Sequence, residues 1–130
     1  MILINNGVSI PKPLVEGFKK AVLGLDQEDM VLGAVGRVYN DVKRFSDILV
    51  AIKILENPRI KFLLIGEGPD LQHLKNQAGL LGVQDQFLAV GYQSDPQSYM
   101  ELMDVFLVPS AHEGFGLVAV ESMLAGLPVI

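Results

Sequence analysis

Apolar runs of strand length alternate along the chain with segments whose apolar residues recur at helical spacing. Val31-Leu-Gly-Ala-Val-Gly36, Lys61-Phe-Leu-Leu-Ile-Gly66, Gln86-Phe-Leu-Ala-Val90 and Val105-Phe-Leu-Val108 read as four strands, and Pro128-Val-Ile130 as the start of a fifth. Near-continuous apolar runs suit parallel strands covered on both faces. Between the first and second runs, Phe45, Ile48, Leu49, Ile52 and Leu55 form one buried helical stripe, and between the second and third, Leu71, Leu74, Ala78 and Leu81 form another. Asp95 before Pro96 predicts an N-cap with Pro in the first turn, opening a helix through Met103. Phe115 to Ala125 is apolar on nearly every face, which predicts a buried helix stopped by Gly126 and Pro128. A further helix is expected around Leu14 to Leu23, after the turn signal Asn5-Asn6-Gly7. The alternation predicts an α/β protein: a Rossmann-like, doubly wound parallel sheet with right-handed crossovers and strand order 3-2-1-4-5.

Length and composition narrow the class. At 130 residues the chain is one domain in size. It stops about three residues into its last strand, where ~5–6 is usual, so the expectation is a fragment of a longer enzyme, incomplete at its C-terminus. Half of the residues are apolar and 19% charged, which excludes disorder; the lack of Cys excludes a disulfide scaffold. No apolar run approaches the ~18 residues of a membrane span, and Met1-Ile-Leu-Ile lacks a basic n-region. A cytoplasmic setting is the expectation. Ten basic against fifteen acidic residues give a net charge of -5, which argues against nucleic acid, as does the absence of Trp. A local basic site for one small phosphate ligand remains compatible with this balance.

In an open sheet of this order, ligands bind beyond the carboxyl ends of the strands where the order reverses, between the first and fourth. That rule selects the loops 37–44 and 109–116. The first carries Arg37, Lys43 and Arg44, three cations in eight residues. Such a loop can be merely solvated; its place at the switch point favours phosphate. The second, Ser110-Ala-His-Glu-Gly-Phe-Gly116, leads into a helix whose free N–H groups favour an anion, and its glycines permit close approach. Gly66-Glu-Gly-Pro69 is a similar turn away from the switch point, weighted lower as a border of the site.

Glu113 and Glu121 are the only charges after Asp104. Eight helical residues rise about 12 Å, placing Glu113 at the helix mouth and Glu121 two turns deeper. A carboxylate in an apolar helix is costly unless paired. One reading is a structural ion pair. The other is that both carboxylates accept hydrogen bonds from ligand hydroxyls, Glu113 near a hexose and Glu121 near a ribose, with the cations between them on a diphosphate. His112 could serve as a general base or a polar contact, but a lone loop His is more often neither, and His73 reads as a solvent-facing helix position. Two distant His without Cys make no transition-metal cluster, and neither a nucleophile elbow around Ser110 nor a P-loop is present.

Taken together, Asn6-Gly-Val8, Val35-Gly-Arg37 followed by Lys43, Leu64-Ile-Gly-Glu-Gly-Pro69, Val90-Gly91, and Pro109 to Glu121 with its Glu-x7-Glu spacing, followed by Ala125-Gly-Leu-Pro-Val-Ile130, carry a family resemblance. The chain resembles the C-terminal, nucleotide-sugar-binding half of GT-B-fold glycosyltransferases of the retaining family 4 group. The resemblance implies an interdomain connection and leading helix over 1–30 and a partial donor-binding domain over 31–130. It implies that Arg37 and Lys43 neutralise the diphosphate; the spacing between them, one residue longer than the family's usual one, leaves Lys43 and Arg44 interchangeable. Glu113 would hold hydroxyls of the transferred sugar, and Arg37, Lys43 and Glu113 form the catalytic set. Gly114, Phe115, Gly116 and Leu117 would line the sugar-phosphate, Glu121 would hold the ribose, and Val90 to Tyr92 would border the base. No metal and no cofactor are implied, since the cations and helix dipole take the metal's part.

The implied function is transfer of a hexose from a nucleotide diphosphate sugar to a glycan or lipid-linked acceptor, completed by an N-terminal acceptor domain that this chain lacks. The inner face of the membrane is then a second expected location. This chain alone is expected to bind donor and turn over nothing. A non-catalytic nucleotide-sugar-binding module working with a separate acceptor chain is the alternative, and a sugar-nucleotide epimerase of similar fold a third. Apolar surface left uncovered at the sheet's end leads us to expect self-association.

Overall fold

The computed structural model describes residues 20–113 and 116–130. Its four strands are β1 (Met30–Val35), β2 (Ile60–Ile65), β3 (Phe87–Gly91) and β4 (Val105–Phe106). All pair in parallel, in the order β3-β2-β1-β4. The expected fifth strand is realised only as an isolated bridge, Phe106 with Val129, reinforced by Phe106 N–H to Pro128 O at 2.8 Å and Val108 N–H to Ile130 O at 2.8 Å. The sheet therefore has four strands rather than five, with residues 128–130 alongside β4 but too short to form a ladder.

The helices are α1 (Asn40–Lys43), α2 (Phe45–Leu55), α3 (Leu71–Leu81), α4 (Pro96–Met100) and α5 (Leu117–Leu124). α2 and α3 carry the two apolar stripes, except that Leu55, at the last position of α2, is exposed rather than buried. Strand alternation sends side chains to opposite faces. Ala34 of β1 and Phe62 and Leu64 of β2 pack beneath α2 and α3 with Phe45, Leu49, Ile52 and Leu74. Val31, Leu63, Ile65 and Phe106 face the other way, onto Met100, Met103 and Leu25. Both faces are covered, which is why these strands carry a single polar residue, Lys61 near the start of β2.

Three expectations need correction. α4 ends at Met100 rather than Met103, because Leu102 N–H and Met103 N–H turn back to Tyr99 and Met100 carbonyls. This tight exit delivers Asp104, whose Oδ2 accepts from Val31 N–H at 2.7 Å, to the start of β1. The described part of the leading helix, Lys20–Leu23, is a single 3-10 turn; its expected beginning lies outside the described residues. α5 is not a buried helix: Leu117, Met123 and Leu124 are exposed, and of its residues only Ser122 is fully buried. An apolar pattern on every face needs neighbours on every face, and here Val118 packs against the core while Leu117, Met123 and Leu124 stay exposed.

Candidate functional site

The carboxyl ends of β1 and β2 open into a pair of interlocked turns. After β2 the chain makes Gly66-Glu-Gly-Pro69, and the loop after β1 lies directly on it. Gly66 adopts φ +144, a conformation closed to other residues, and a Cβ there would overlap the carbonyl oxygen of Gly36. A Cβ on Gly68 would overlap the backbone of Val38. The contact is stitched by Gly36 N–H to Ile65 O (3.0 Å), Val38 N–H to Glu67 O (2.9 Å) and Asp70 N–H to Val38 O (3.2 Å). Asp70 Oδ2 in turn accepts from Asn40 N–H at 2.8 Å, at the start of α1. The turn weighted lower in the sequence is thus the seat of the Arg37 loop.

A cavity of about 790 Å³ opens there, within the usual range for small-ligand sites. Its walls are Val35 to Arg37, Ile65 to Pro69 and the Tyr92 to Ser94 loop with Pro96. A register shift between β2 and β3 at Leu64/Ile65 leaves the Val90 carbonyl out of the ladder, and the Gln93 side-chain amide donates to it at 2.8 Å. The far wall is therefore self-braced. Arg37 is exposed at the mouth, with its guanidinium 5.1 Å over the Tyr39 ring and no ion pair among the described residues.

A second, smaller cavity of about 80 Å³ lies between β1 and β4. Lys43, Ser110, Glu113 and Gly116 contribute to its lining. Lys43 Nζ donates to Glu113 Oε1 at 2.7 Å, and Ser110 Oγ donates to the same oxygen at 2.6 Å. The Lys43 hydrogen bond, then that of Ser110, holds the Glu113 carboxyl below the usual carboxylate range, against a smaller opposing effect of burial. Ala111 N–H donates to Val42 O at 2.8 Å, tying this loop to the end of α1.

The single crevice expected to hold Arg37 and Glu113 together is two adjoining cavities that share Val35 and Gly36. The Lys43 stem lies across that shared backbone, its Cε 3.5 Å from where a Cβ would stand on Gly36. Lys43 and Arg44 are placed differently. Arg44 sits in the left-handed region at φ 54 between α1 and α2, and its guanidinium pairs with Asp47 at 2.6 Å. Glu113 stands in a loop four residues before α5, not at the first turn of a helix, so only half of the spacing to Glu121 is helical. Gly116, at φ 68, caps α5. Leu117 opens α5 and is 38% exposed. Glu121 is half-buried and its carboxylate has no hydrogen-bond or ion-pair partner among the described residues, so the structural ion pair weighed for it is not formed there. His112 and His73 are exposed. Gly114 and Phe115 lie outside the described residues.

Sequence reasoning passed over three participants: Tyr39 beneath Arg37, Gln93 behind the cavity wall and Ser110 on Glu113. The spacing Ser110-x-x-Glu113 was the one visible signal among them. Among the described residues, no helix is long and apolar enough to cross a membrane.

The chain is 34% identical over 119 residues to the 2-deoxystreptamine glucosyltransferase of Streptomyces kanamyceticus, covering 88% of this chain and 30% of that protein. It is 30% identical over 136 residues to the UDP-Gal:alpha-D-GlcNAc-diphosphoundecaprenol alpha-1,3-galactosyltransferase of Escherichia coli, covering 98% and 35%. Among solved structures, Anabaena HepE in complex with UDP-glucose superposes with a TM-score of 0.77 at 28% identity, over 85% of this chain and 31% of that one. A structure of S. aureus TarM shares the fold, with a TM-score of 0.79 at 22% identity, over 98% and 24%. The chain thus spans about a third of the length of the curated relatives it matches. With residues 15–130 matching the model of the glycosyl transferases group 1, the chain belongs to that family.

Proposed function

We propose that this chain is the donor-binding part of a retaining family 4 glycosyltransferase of GT-B fold. The whole protein would transfer a hexose from a nucleotide diphosphate sugar to a glycan or lipid-linked acceptor. A cytoplasmic location, with the acceptor presented at the inner face of the membrane, belongs to the same reading. One observation carries it: at the carboxyl ends of β1 and β4, Lys43 sits on the seam between two cavities, with Arg37, which has no ion pair among the described residues, on one side and Glu113 on the other. The complex of Anabaena HepE with UDP-glucose supports the ligand class.

In this reading the diphosphate lies at the seam, beside Lys43. As the bond between the sugar's anomeric carbon and the diphosphate oxygen breaks, negative charge grows on the leaving nucleotide. Arg37 and Lys43 stabilise that charge where it develops, which lowers the barrier rather than merely tightening binding. Glu113 accepts hydroxyls of the hexose, Glu121 those of the ribose, and the backbone at 114–117 lines the sugar-phosphate. No metal is required, because the two cations and the N-terminal end of α5 face the same anion.

Calorimetry of the chain against UDP-, GDP- and ADP-hexoses tests the assignment. Saturable binding of one donor is expected, with hydrolysis or transfer absent, and Arg37→Ala and Glu121→Ala are each expected to weaken it. Donor binding that survives both substitutions unchanged overturns the site.

A further inference from the structure

We propose that Ser110 is the positioning residue for the Glu113 carboxylate, its hydroxyl fixing which oxygen remains to accept the hydroxyls of the transferred sugar. This rests on the donor-binding reading above. Glu113 Oε1 accepts two hydrogen bonds, from Lys43 Nζ at 2.7 Å and from Ser110 Oγ at 2.6 Å. Oε2 accepts none from a described residue.

The two donors are not equivalent. Lys43 reaches Glu113 on a flexible four-carbon stem, and its ammonium is a mobile point charge. A diphosphate entering the seam offers that ammonium a more highly charged partner than one carboxylate. As Lys43 turns to the phosphate, Glu113 loses one of its two anchors. Ser110 has a single side-chain torsion and no charge for the phosphate to attract. It stands on backbone pinned on both sides, by Val108 N–H to Ile130 O at 2.8 Å and by Ala111 N–H to Val42 O at 2.8 Å. Its hydrogen bond therefore outlasts the departure of Lys43. The serine separates two tasks that otherwise meet at one oxygen, neutralising phosphate and presenting a carboxylate to sugar.

A hydroxyl that merely shaped the 110–113 turn would affect every ligand alike. A hydroxyl that orients Glu113 matters only for ligands that carry the sugar. The test is calorimetry of the whole chain with the matched pairs UDP and UDP-glucose, GDP and GDP-mannose, and ADP and ADP-glucose. For the pair that wild type binds, Ser110→Ala is expected to leave the free nucleotide within about twofold and to weaken the sugar conjugate by roughly three- to tenfold, the scale of one hydrogen bond. Ser110→Thr, which keeps the hydroxyl, is expected to restore the difference. Ser110→Val, the same shape without a donor, is expected to behave as Ala, and the Thr and Val pair decides the matter if the Ala variant fails to fold. Equal losses on nucleotide and conjugate, no loss on either, or identical behaviour of Thr and Val overturn the role of Ser110 alone. A wild-type chain that binds no member of any pair overturns the donor-binding reading and this inference together.

Discussion

The two sides of the seam are built by different means. On the β2 side, the loop bearing Arg37 rests on the Gly66 to Pro69 turn through backbone hydrogen bonds and direct contact of one main chain with another. On the β4 side, Glu113 is held by two side chains, Lys43 and Ser110. Backbone seats are fixed by the fold and cannot yield without unfolding it. Side-chain latches form between groups that also suit a ligand, so they can exchange partners when one arrives. On the donor-binding reading proposed above, the rigid side would suit a part of the ligand common to every donor, and the latched side the part that is transferred.

The largest effect should come from breaking the rigid side. Gly68→Ala drives a Cβ into the Val38 backbone, which has no rotamer with which to retreat. Overpacking of this kind is expected to cost about 3 kcal/mol, a fall in thermal midpoint of roughly 10 °C for a domain of this size. Gly79→Ala, in α3 with nothing near its missing Cβ, is the control and is expected to be neutral or stabilising. Thermal denaturation of both variants followed by circular dichroism checks the contrast, and equal midpoints would show that the turns are not locked.

Breaking the latched side should spare the fold and damage binding. Lys43→Ala removes a pair whose side chains keep a quarter to a third of their surface exposed, so it is expected to change stability by less than about 1 kcal/mol. Its loss from a diphosphate is a lost charged hydrogen bond of about 1.5–3 kcal/mol, or roughly ten- to a hundredfold in the affinity for UDP. Chemical denaturation and calorimetry on the same variant separate the two numbers. A large stability loss with little change in affinity would make the β4 side as structural as the β2 side.

The same latch predicts a direction with pH. The Lys43 and Ser110 hydrogen bonds hold Glu113 below the usual carboxylate range. A depressed folded-state value means that the pair's contribution is complete above the ordinary glutamate range and disappears as pH falls through the folded value. Carbon-detected NMR of the Glu113 carboxyl should show that low midpoint in wild type. In Lys43→Ala the midpoint should rise toward the ordinary range, because the largest cause is gone, and an unmoved midpoint would mean that Lys43 does not hold Glu113 in solution.

Much of this was legible in the residues. Continuous apolar runs specify strands covered on both faces, and four of them fall within a residue or two of β1 to β4. The stripes at Phe45 to Leu55 and Leu71 to Leu81 specify α2 and α3, because each needs only one buried face. The switch-point rule selected the loops of Lys43 and Glu113, which do meet. The course of α5 was not legible: its sequence fixes how apolar the helix is, not how many neighbours it finds. Nor was the different placement of Lys43 and Arg44, which turns on a left-handed residue between α1 and α2 and a local pair of Arg44 with Asp47. The seat under Arg37 escaped because Gly66 and Gly68 are needed by a contact between two distant turns, and no local pattern records such a contact.

The smallest effect lies at the outer edge of the rigid side, where a side chain does intervene. Arg37 reaches the cavity mouth with its guanidinium over the Tyr39 ring and no carboxylate partner among the described residues. An exposed contact of this kind contributes about 0.5–1 kcal/mol. Tyr39→Leu is therefore expected to weaken UDP binding by only about two- to fivefold, and Tyr39→Phe, which keeps the ring face, by less than twofold. In an Arg37→Ala background, Tyr39→Leu should change nothing further, because the ring then has no cation to hold. A full Tyr39 effect persisting without Arg37 would assign the ring to the ligand instead. In that case the β2 side would also meet the donor through a side chain free to exchange partners, and the division between a seated half and a latched half would fail at its edge.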